Sequence, residues 1–422
     1  MYRAISRCRI CGGTSLRPIL DLGRQSLTGV FPATAAEVVP AAPLELVLCD
    51  DPSGCGLVQL RHSHAPEQMY GAGYGYRSGL NAAMVEHLVH RGRAARRHVA
   101  LGPGSIVLDI GSNDGTFLNS LAGTGARLVG VDPAAAALES HYDPAIERIP
   151  DFFDRDAVRR HLRGRRATLI TAIAMFYDLE DPTGFLRDLH DLLEDDGICV
   201  LEQSYLPLMI ERDAYDTVCH EHLTYFALRQ MCWMAERAGL VVIDVEINDV
   251  NGGSFATTLA RRRSRHAVDD HRVESLLEWE DRTGLGGHLV YEAFRHRVEA
   301  HRDRLRDQLA ELAAEGRRVY GYGASTKGNV VLQYCGLSPR ELPAIAEVNA
   351  SKFGCVTPGT HIPIVPEHEV HARRPDVLLV LPWHFRRSII DREHAHLQRG
   401  GTLLFPLPRI EMVRHVGLRR AA

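Results

Sequence analysis

Residues 219 to 222 set a thiol, two imidazoles and a carboxylate in a row: Cys219, His220, Glu221 and His222. Such a set can bind a metal, act as a base, or do neither, since a chain with 22 histidines brings two together by chance. Metal-binding helices present His at i and i+4 on one face, whereas His220 and His222 are two apart and diverge. That spacing argues against a catalytic metal. A general base suits the residues better, because imidazole, with an ordinary pKa of about 6.5, can take a proton from a carbon beside a ketone. A neighbouring carboxylate would orient the ring and stabilise its charged form. On the residues alone, base and coincidence both stand.

A second constellation is made of cysteines. "CRIC" contributes Cys8 and Cys11, and "CDDPSGC", about 40 residues on, contributes Cys49 and Cys55. Two close pairs, each on a tight turn, suit tetrahedral thiolate coordination of a structural zinc ion. Unrelated free thiols are the alternative, and His62 or His64 a minor alternative ligand.

Two glycine loops point to two ligands. In "LDIGSNDGTFL" an apolar strand, Ile106 to Ile110, runs into a glycine turn and then a helix. Asp109 stands where a pyrophosphate would otherwise come close, and a carboxylate there repels phosphate but suits the amino group of a methionine moiety. S-adenosylmethionine is therefore favoured over a dinucleotide, with Asp109, Gly111, Asn113 and Gly115 around its methionine end. Asp132, about 20 residues further at the tip of the next strand, is placed for ribose hydroxyls. "GYGASTKGN" is the opposite case: Ser325, Thr326, Lys327 and Asn329 beside a helix start make an anion site, with a diphosphate-bearing substrate as the natural guess. An NAD site is the weaker alternative, its acid being Glu347. Tyr76 and Arg77 in "YGYRSG" are further candidates for the diphosphate, or an ordinary interdomain turn. Lys327 and Lys352 are the two lysines against 47 arginines, so a lysine here marks a place that needs a compact ammonium. Lys352 is expected to be exposed.

These residues need elements to hold them. At 422 residues, with 45% apolar and 24% charged side chains, the chain is globular and long enough for two or three domains. A net charge of -4 predicts neither nucleic-acid nor membrane-surface binding. No apolar run approaches the roughly 20 residues that span a bilayer, and the start lacks a signal-peptide core, so a cytoplasmic protein is expected. The odd count of nine cysteines is no disulfide framework. Alternating apolar strands and amphipathic helices predict an α/β protein. The division expected is a small zinc-binding domain over 1–75, a central Rossmann-like methyl-donor domain over 76–265, and a C-terminal Rossmann-like α/β domain over 266–422.

The blocks "CRIC", "CDDPSGCGLVQL", "YGYRSGLN", "LDIGSNDGTFL", "LEQSYLP", "YDTVCHEHLTYF", "NGGSF", "GYGASTKGN", "TPGTHIPI" and "LPWHF" run in order from residue 8 to 385. Together they resemble the three-domain S-adenosylmethionine-dependent sugar C-methyltransferases, which act on nucleotide-linked 4-ketosugars in deoxysugar biosynthesis. The resemblance implies methylation at C3 of a dTDP-4-keto-2,6-dideoxyhexose, a zinc-binding N-terminal domain and a C-terminal domain that helps bind the nucleotide sugar. It also implies that His222 is the base, with Glu221 beside it, and that His220 is structural or a sugar contact. Tyr177 is a candidate donor to the enolate. This chain has Cys219 where many members have tyrosine, and Ala174 and Asp178 where many have Asn and His. Rival readings are O- or N-methylation of a nucleotide sugar, an NAD-dependent sugar oxidoreductase, and a noncatalytic zinc-ribbon interaction protein. The oligomeric state is not legible.

Overall fold

The computed structural model describes residues 2–65, 69 and 76–415. Three larger sheets organise it. The first is antiparallel, in the order Thr224–Tyr225, Val58–Leu60, Ala41–Cys49, Leu16–Ser26. Its first strand comes from the end of the Cys-His-Glu-His segment, so the N-terminal sheet is completed by a piece of the central stretch. The expected division at residue 75 lies outside the described residues, and this sheet draws strands from both sides of it.

The central sheet has seven strands, in the order Leu240–Asn248, Ser254–Arg261, Leu193–Ser204, Ala167–Ile173, Ile106–Ile110, Arg127–Val131, Glu147–Ile149. Ser254–Arg261 runs antiparallel to both neighbours; the strands from Leu193–Ser204 to Glu147–Ile149 are parallel. Ile106–Ile110 is buried at every position, as expected of a parallel strand covered on both faces. The chain leaves it first to one side and later to the other, which makes its C-terminal end a topological switch point, where α/β sheets bind ligands. Helices seal the faces by their periodicity. In Pro182–Leu192 the apolar Phe185, Leu186, Leu189 and Leu192 fall on one buried face, each contributing about 2 kcal/mol. Asp181 caps that helix by accepting from Gly184 N at 2.8 Å, and Pro182 occupies its first turn.

The third sheet runs Ile364–Pro366, Ile345–Glu347, Val319–Tyr322, Val377–Val380, Thr402–Phe405, Glu411–Arg414, with only the last strand antiparallel. Its switch point lies at the end of Val319–Tyr322, where "GYGASTKGN" begins. The long helix Leu289–Ala314 connects the two halves. It buries Tyr291, Phe294, Val298, His301, Leu305, Leu309 and Leu312 at three- and four-residue spacing. Among the described residues no helix is long and apolar enough to cross a membrane.

The N-terminal loop after Ser26 crosses to the C-terminal domain. Asn329 Nδ2 donates to the Thr28 carbonyl at 2.7 Å, Gln333 bonds Ser26 N and O, and Val356 N donates to Pro32 O at 2.9 Å. Lys352 is half-buried there, not exposed as expected; its ammonium donates to Ala324 O at 2.8 Å and lies 4.3 Å from the Phe31 ring centre.

Candidate active site at the junction of three domains

The four cysteines converge. Their Sγ atoms all lie within 4.8 Å of one another, with Cys8 and Cys55 at 3.5 Å and Cys11 and Cys49 at 3.4 Å. Zinc–thiolate bonds of about 2.3 Å require sulfur separations of about 3.8 Å in a tetrahedron, so the set fits. Without a cation such sulfurs resist ionising together. The bond from Cys55 brings the Cys8 thiol down to about 5, whereas burial and then Cys8 push Cys49 up to about 12. A bound dication removes that conflict. All four positions are filled by protein, so the ion holds the fold and supplies no open site. His64 packs edge-on against His220, ring centres 5.2 Å apart, and is not part of the thiolate cluster.

A cavity of about 220 Å³ opens at the switch point of the central sheet. Asp109, Gly111, Asn113 and Asp132 line it, as the glycine-loop reading requires. Asp109 is buried and accepts from Thr171 Oγ1 at 2.6 Å; burial pushes its carboxyl up to about 7. Asp132 is oriented by two backbone donors, Asn113 N at 2.9 Å and Ala134 N at 2.7 Å. Gly111 has φ 75°, and a Cβ there would meet the Met175 side chain at 2.9 Å. Gly115 is not among the lining residues. Its φ of 75° begins the short helix Thr116–Asn119, and the Tyr142 ring leaves no room for a Cβ. Asn113 spends its amide on another segment, donating from Nδ2 to Tyr76 O at 3.1 Å and accepting from Ser78 N at 3.0 Å. Tyr76 is thereby held on this cavity, and Arg77 approaches Asp114 at 3.8 Å. Their partners are on the "LDIGSNDGTFL" loop, not the "GYGASTKGN" loop. Asp151, Phe152 and Phe153, absent from the sequence reading, also line the cavity, just after the strand Glu147–Ile149. An acid and two aromatics directly after a strand were the available signal. Glu202 lines it too, bonded by His87 Nε2 at 2.5 Å and Asn248 Nδ2 at 3.2 Å. Ala174 and Asn251, both lining residues, and Asn113 adopt left-handed backbone, strain that non-glycine residues tolerate where a ligand site needs the shape.

His222 stands beside this cavity. Met175, Asp178 and Leu179 line the cavity, and Tyr177 between them packs its ring on His222, centres 4.2 Å apart. His222 Nδ1 lies 2.8 Å from the Thr217 carbonyl. A carbonyl only accepts, so in the neutral ring Nδ1 carries the proton and Nε2 holds the lone pair. Burial and then the Lys327 charge bring the imidazole pKa down to about 3, so it is neutral at pH 7. The turn Tyr215–Thr217 that carries this carbonyl is fixed in turn. His301 donates from Nε2 to Pro406 O at 2.6 Å and accepts at Nδ1 from Tyr215 Oη at 3.2 Å. Glu221 does not orient His222 as the sequence reading supposes. Its Oε2 accepts from Cys219 Sγ at 3.7 Å, and its Oε1 faces Gly29, where a Cβ would overlap it. Burial pushes its carboxyl up to about 7. His220 is structural: buried, it reaches Ala42 O at 3.3 Å through Nε2.

The second glycine loop divides its residues. Ser325 caps the helix Thr326–Tyr334, accepting from Gly328 N at 3.0 Å. Thr326 is half-buried near Gly29, but Asn329 is wholly buried against Thr28 and faces protein. Lys327 turns inward: its Nζ donates to Asn251 O at 2.6 Å, on the wall of the donor cavity. Asp216 is fully buried nearby, and its Oδ2 accepts from Trp383 Nε1 at 2.7 Å. Burial lowers the Lys327 pKa, and the Asp216 charge opposes that shift.

The sequence is similar to three family models: a zinc binding domain over residues 8–70, a methyltransferase domain over 84–245 and a C-methyltransferase C-terminal domain over 249–408. With the switch-point cavity and the thiolate cluster, these define a methyltransferase that uses S-adenosylmethionine and carries a structural zinc. C-methyltransferase NovU from Streptomyces niveus is 31% identical over 417 residues, 98% of each chain. The chain belongs to this three-domain C-methyltransferase family. A ubiquinone biosynthesis O-methyltransferase from Azorhizobium caulinodans is 31% identical over 121 residues, 28% of this chain and 46% of its own. The CcbJ methyltransferase structure from Streptomyces caelestis covers 41% of this chain and 89% of its own at 14% identity and TM-score 0.32, too slight a likeness to bear on activity.

Proposed function

We propose that the enzyme methylates C3 of a nucleotide-linked 4-keto-deoxysugar, with dTDP as the nucleotide, in the biosynthesis of natural-product deoxysugars. The observation that carries this reading is the His222 geometry: a neutral imidazole beside the donor cavity, with Nδ1 tied to Thr217 O and Nε2 left for a proton. Making a carbon–carbon bond needs a carbanion, and the C3 hydrogen beside the C4 ketone is acidic enough for a modest base. S-adenosylmethionine supplies the electrophilic methyl group.

His222 Nε2 takes the C3 proton, and the pair left behind moves toward the C4 oxygen. Tyr177 buttresses the imidazole face. Glu221, half-ionised near neutrality, stands ready to bond a sugar hydroxyl as acid or acceptor. Of the cavity's lining, Asp109 would receive the methionine ammonium and Asp132 the ribose, and Asp151 and Phe152 would hold the adenine. Ser325 and Thr326 offer hydroxyls and backbone N–H groups at a helix start to the diphosphate. Holding donor and acceptor in line supplies much of the acceleration.

O-methylation is the second reading, because 121 residues of the chain are similar to an O-methyltransferase and His222 would equally take a hydroxyl proton. Incubation with isotopically labelled methyl donor and a panel of nucleotide 4-ketosugars decides between them. The expected product carries the label on C3 by fragmentation mass spectrometry; label on oxygen or nitrogen would overturn the reading.

A further inference from the structure

The lysine of the C-terminal loop was expected to bind phosphate, yet its ammonium points into the protein junction. Lys327 Nζ bonds the carbonyl of Asn251, a residue of the donor-cavity wall. Asn251 has φ 55°, and the next residue, Gly252, presses on the Trp383 ring so closely that a Cβ would stand 2.8 Å from it. Trp383 in turn donates to Asp216, in the same turn whose Thr217 carbonyl holds His222. The helix Thr326–Tyr334 packs directly on that turn. Lys327, Asp216, Trp383 and His222 are thus locked together by two elements of the central domain and two of the C-terminal domain. An ammonium fixed there is bonded to the cavity wall at Asn251 and is close enough for its charge to act on His222.

We propose that Lys327 is a catalytic residue, its ammonium stabilising the negative charge on the C4 oxygen while His222 holds the proton taken from C3. This rests on the ketosugar reading above. The C3–H bond breaks and the proton goes to His222 Nε2. Its electron pair forms the C3–C4 double bond, and the carbonyl pair moves to the C4 oxygen facing Nζ. When C3 then bonds the methyl carbon, the carbon–sulfur bond breaks, its pair stays on sulfur, and the C4 carbonyl reforms. Asp216, buried in the same junction and bonded to Trp383, is the positioning residue, its charge opposing the fall that burial imposes on the Lys327 pKa. A lysine suits this place because a point ammonium fits between Asn251 and the sugar where a planar guanidinium would not.

The test compares Lys327→Met and Asp216→Asn with the wild type in methyl transfer to a nucleotide 4-ketosugar. In parallel, titration calorimetry measures binding of the nucleoside diphosphate. Lys327→Met is expected to lose roughly 100-fold or more in kcat, the loss typical of one oxyanion donor, with diphosphate affinity within a few fold of wild type. Asp216→Asn is expected to fold, bind donor, and move the alkaline limb of its kcat profile to lower pH, which a merely structural change would not do. A Lys327→Met enzyme that keeps its kcat but loses diphosphate affinity overturns the assignment and restores the lysine to phosphate. An unmoved alkaline limb in Asp216→Asn overturns the positioning role. A wild type that methylates no nucleotide ketosugar overturns the underlying reading, which the variants alone would not distinguish.

Discussion

His222 owes its tautomer to a carbonyl five residues upstream, and its neutrality to burial and a lysine more than a hundred residues away. An imidazole whose pKa is pushed down to about 3 is unprotonated throughout the physiological range, so the proposed base is expected to survive mild acidification. Asp109 behaves otherwise. Burial holds its carboxyl at about 7, so the donor-free enzyme gains the charge proposed to attract the methionine ammonium only as pH rises through that value. Affinity for S-adenosylmethionine is therefore expected to tighten on going from about one unit below to one unit above, and Asp109→Asn to bind weakly with no such slope. Calorimetric titration at several pH values checks this. Asp109, Asp132 and the four cysteines were legible because each sits at a local signal, a strand end or a close pair. The partner of His222 was not, because nothing in a tetrapeptide says which carbonyl will fold back on it. The adjacent Glu221 was the nearest guess, and it bonds Cys219 instead.

Elements were legible where periodicity is strong. The strand–glycine–helix units of both Rossmann-like sheets and the long helix Leu289–Ala314 follow from apolar spacing. Pairing was not legible, since a two-residue strand such as Thr224–Tyr225 carries no pattern and is recruited by the edge of Val58–Leu60. The same holds for the clasp between the N-terminal loop and the helix Thr326–Tyr334, whose central bond, Asn329 to Thr28, spans 301 residues of chain. Asn329→Ala leaves a buried carbonyl without its donor and is expected to cost about 1–3 kcal/mol of stability. Urea unfolding should report that loss while nucleoside diphosphate affinity stays unchanged. A fall in affinity without a fall in stability would return Asn329 to the substrate site.

At the scale of the whole molecule, three sheets meet on one segment. Residues 215–226 begin in a turn packed on the C-terminal domain, pass His222 beside the donor cavity, and end as a strand of the zinc-bearing sheet. Zinc, by keeping the sheet to which that strand belongs, is therefore expected to support the placement of His222 from a distance. Stripping it with a chelator is expected to abolish methyl transfer while donor binding by the central sheet persists, as differential scanning and donor titration would show. Full turnover by an enzyme proven free of zinc would contradict this coupling. Convergence of this kind is what single-sequence reading reaches last, because it depends on contacts between distant parts of the chain.

The measurement closest to the central claim is hydrogen exchange at C3 of a nucleotide 4-ketosugar in deuterated water, with no methyl donor present. Wild-type enzyme should load deuterium at C3 and His222→Asn should fall by roughly 100-fold or more. Product bearing a new methyl group from an enzyme that never exchanges C3, or exchange undiminished in His222→Asn, would contradict it.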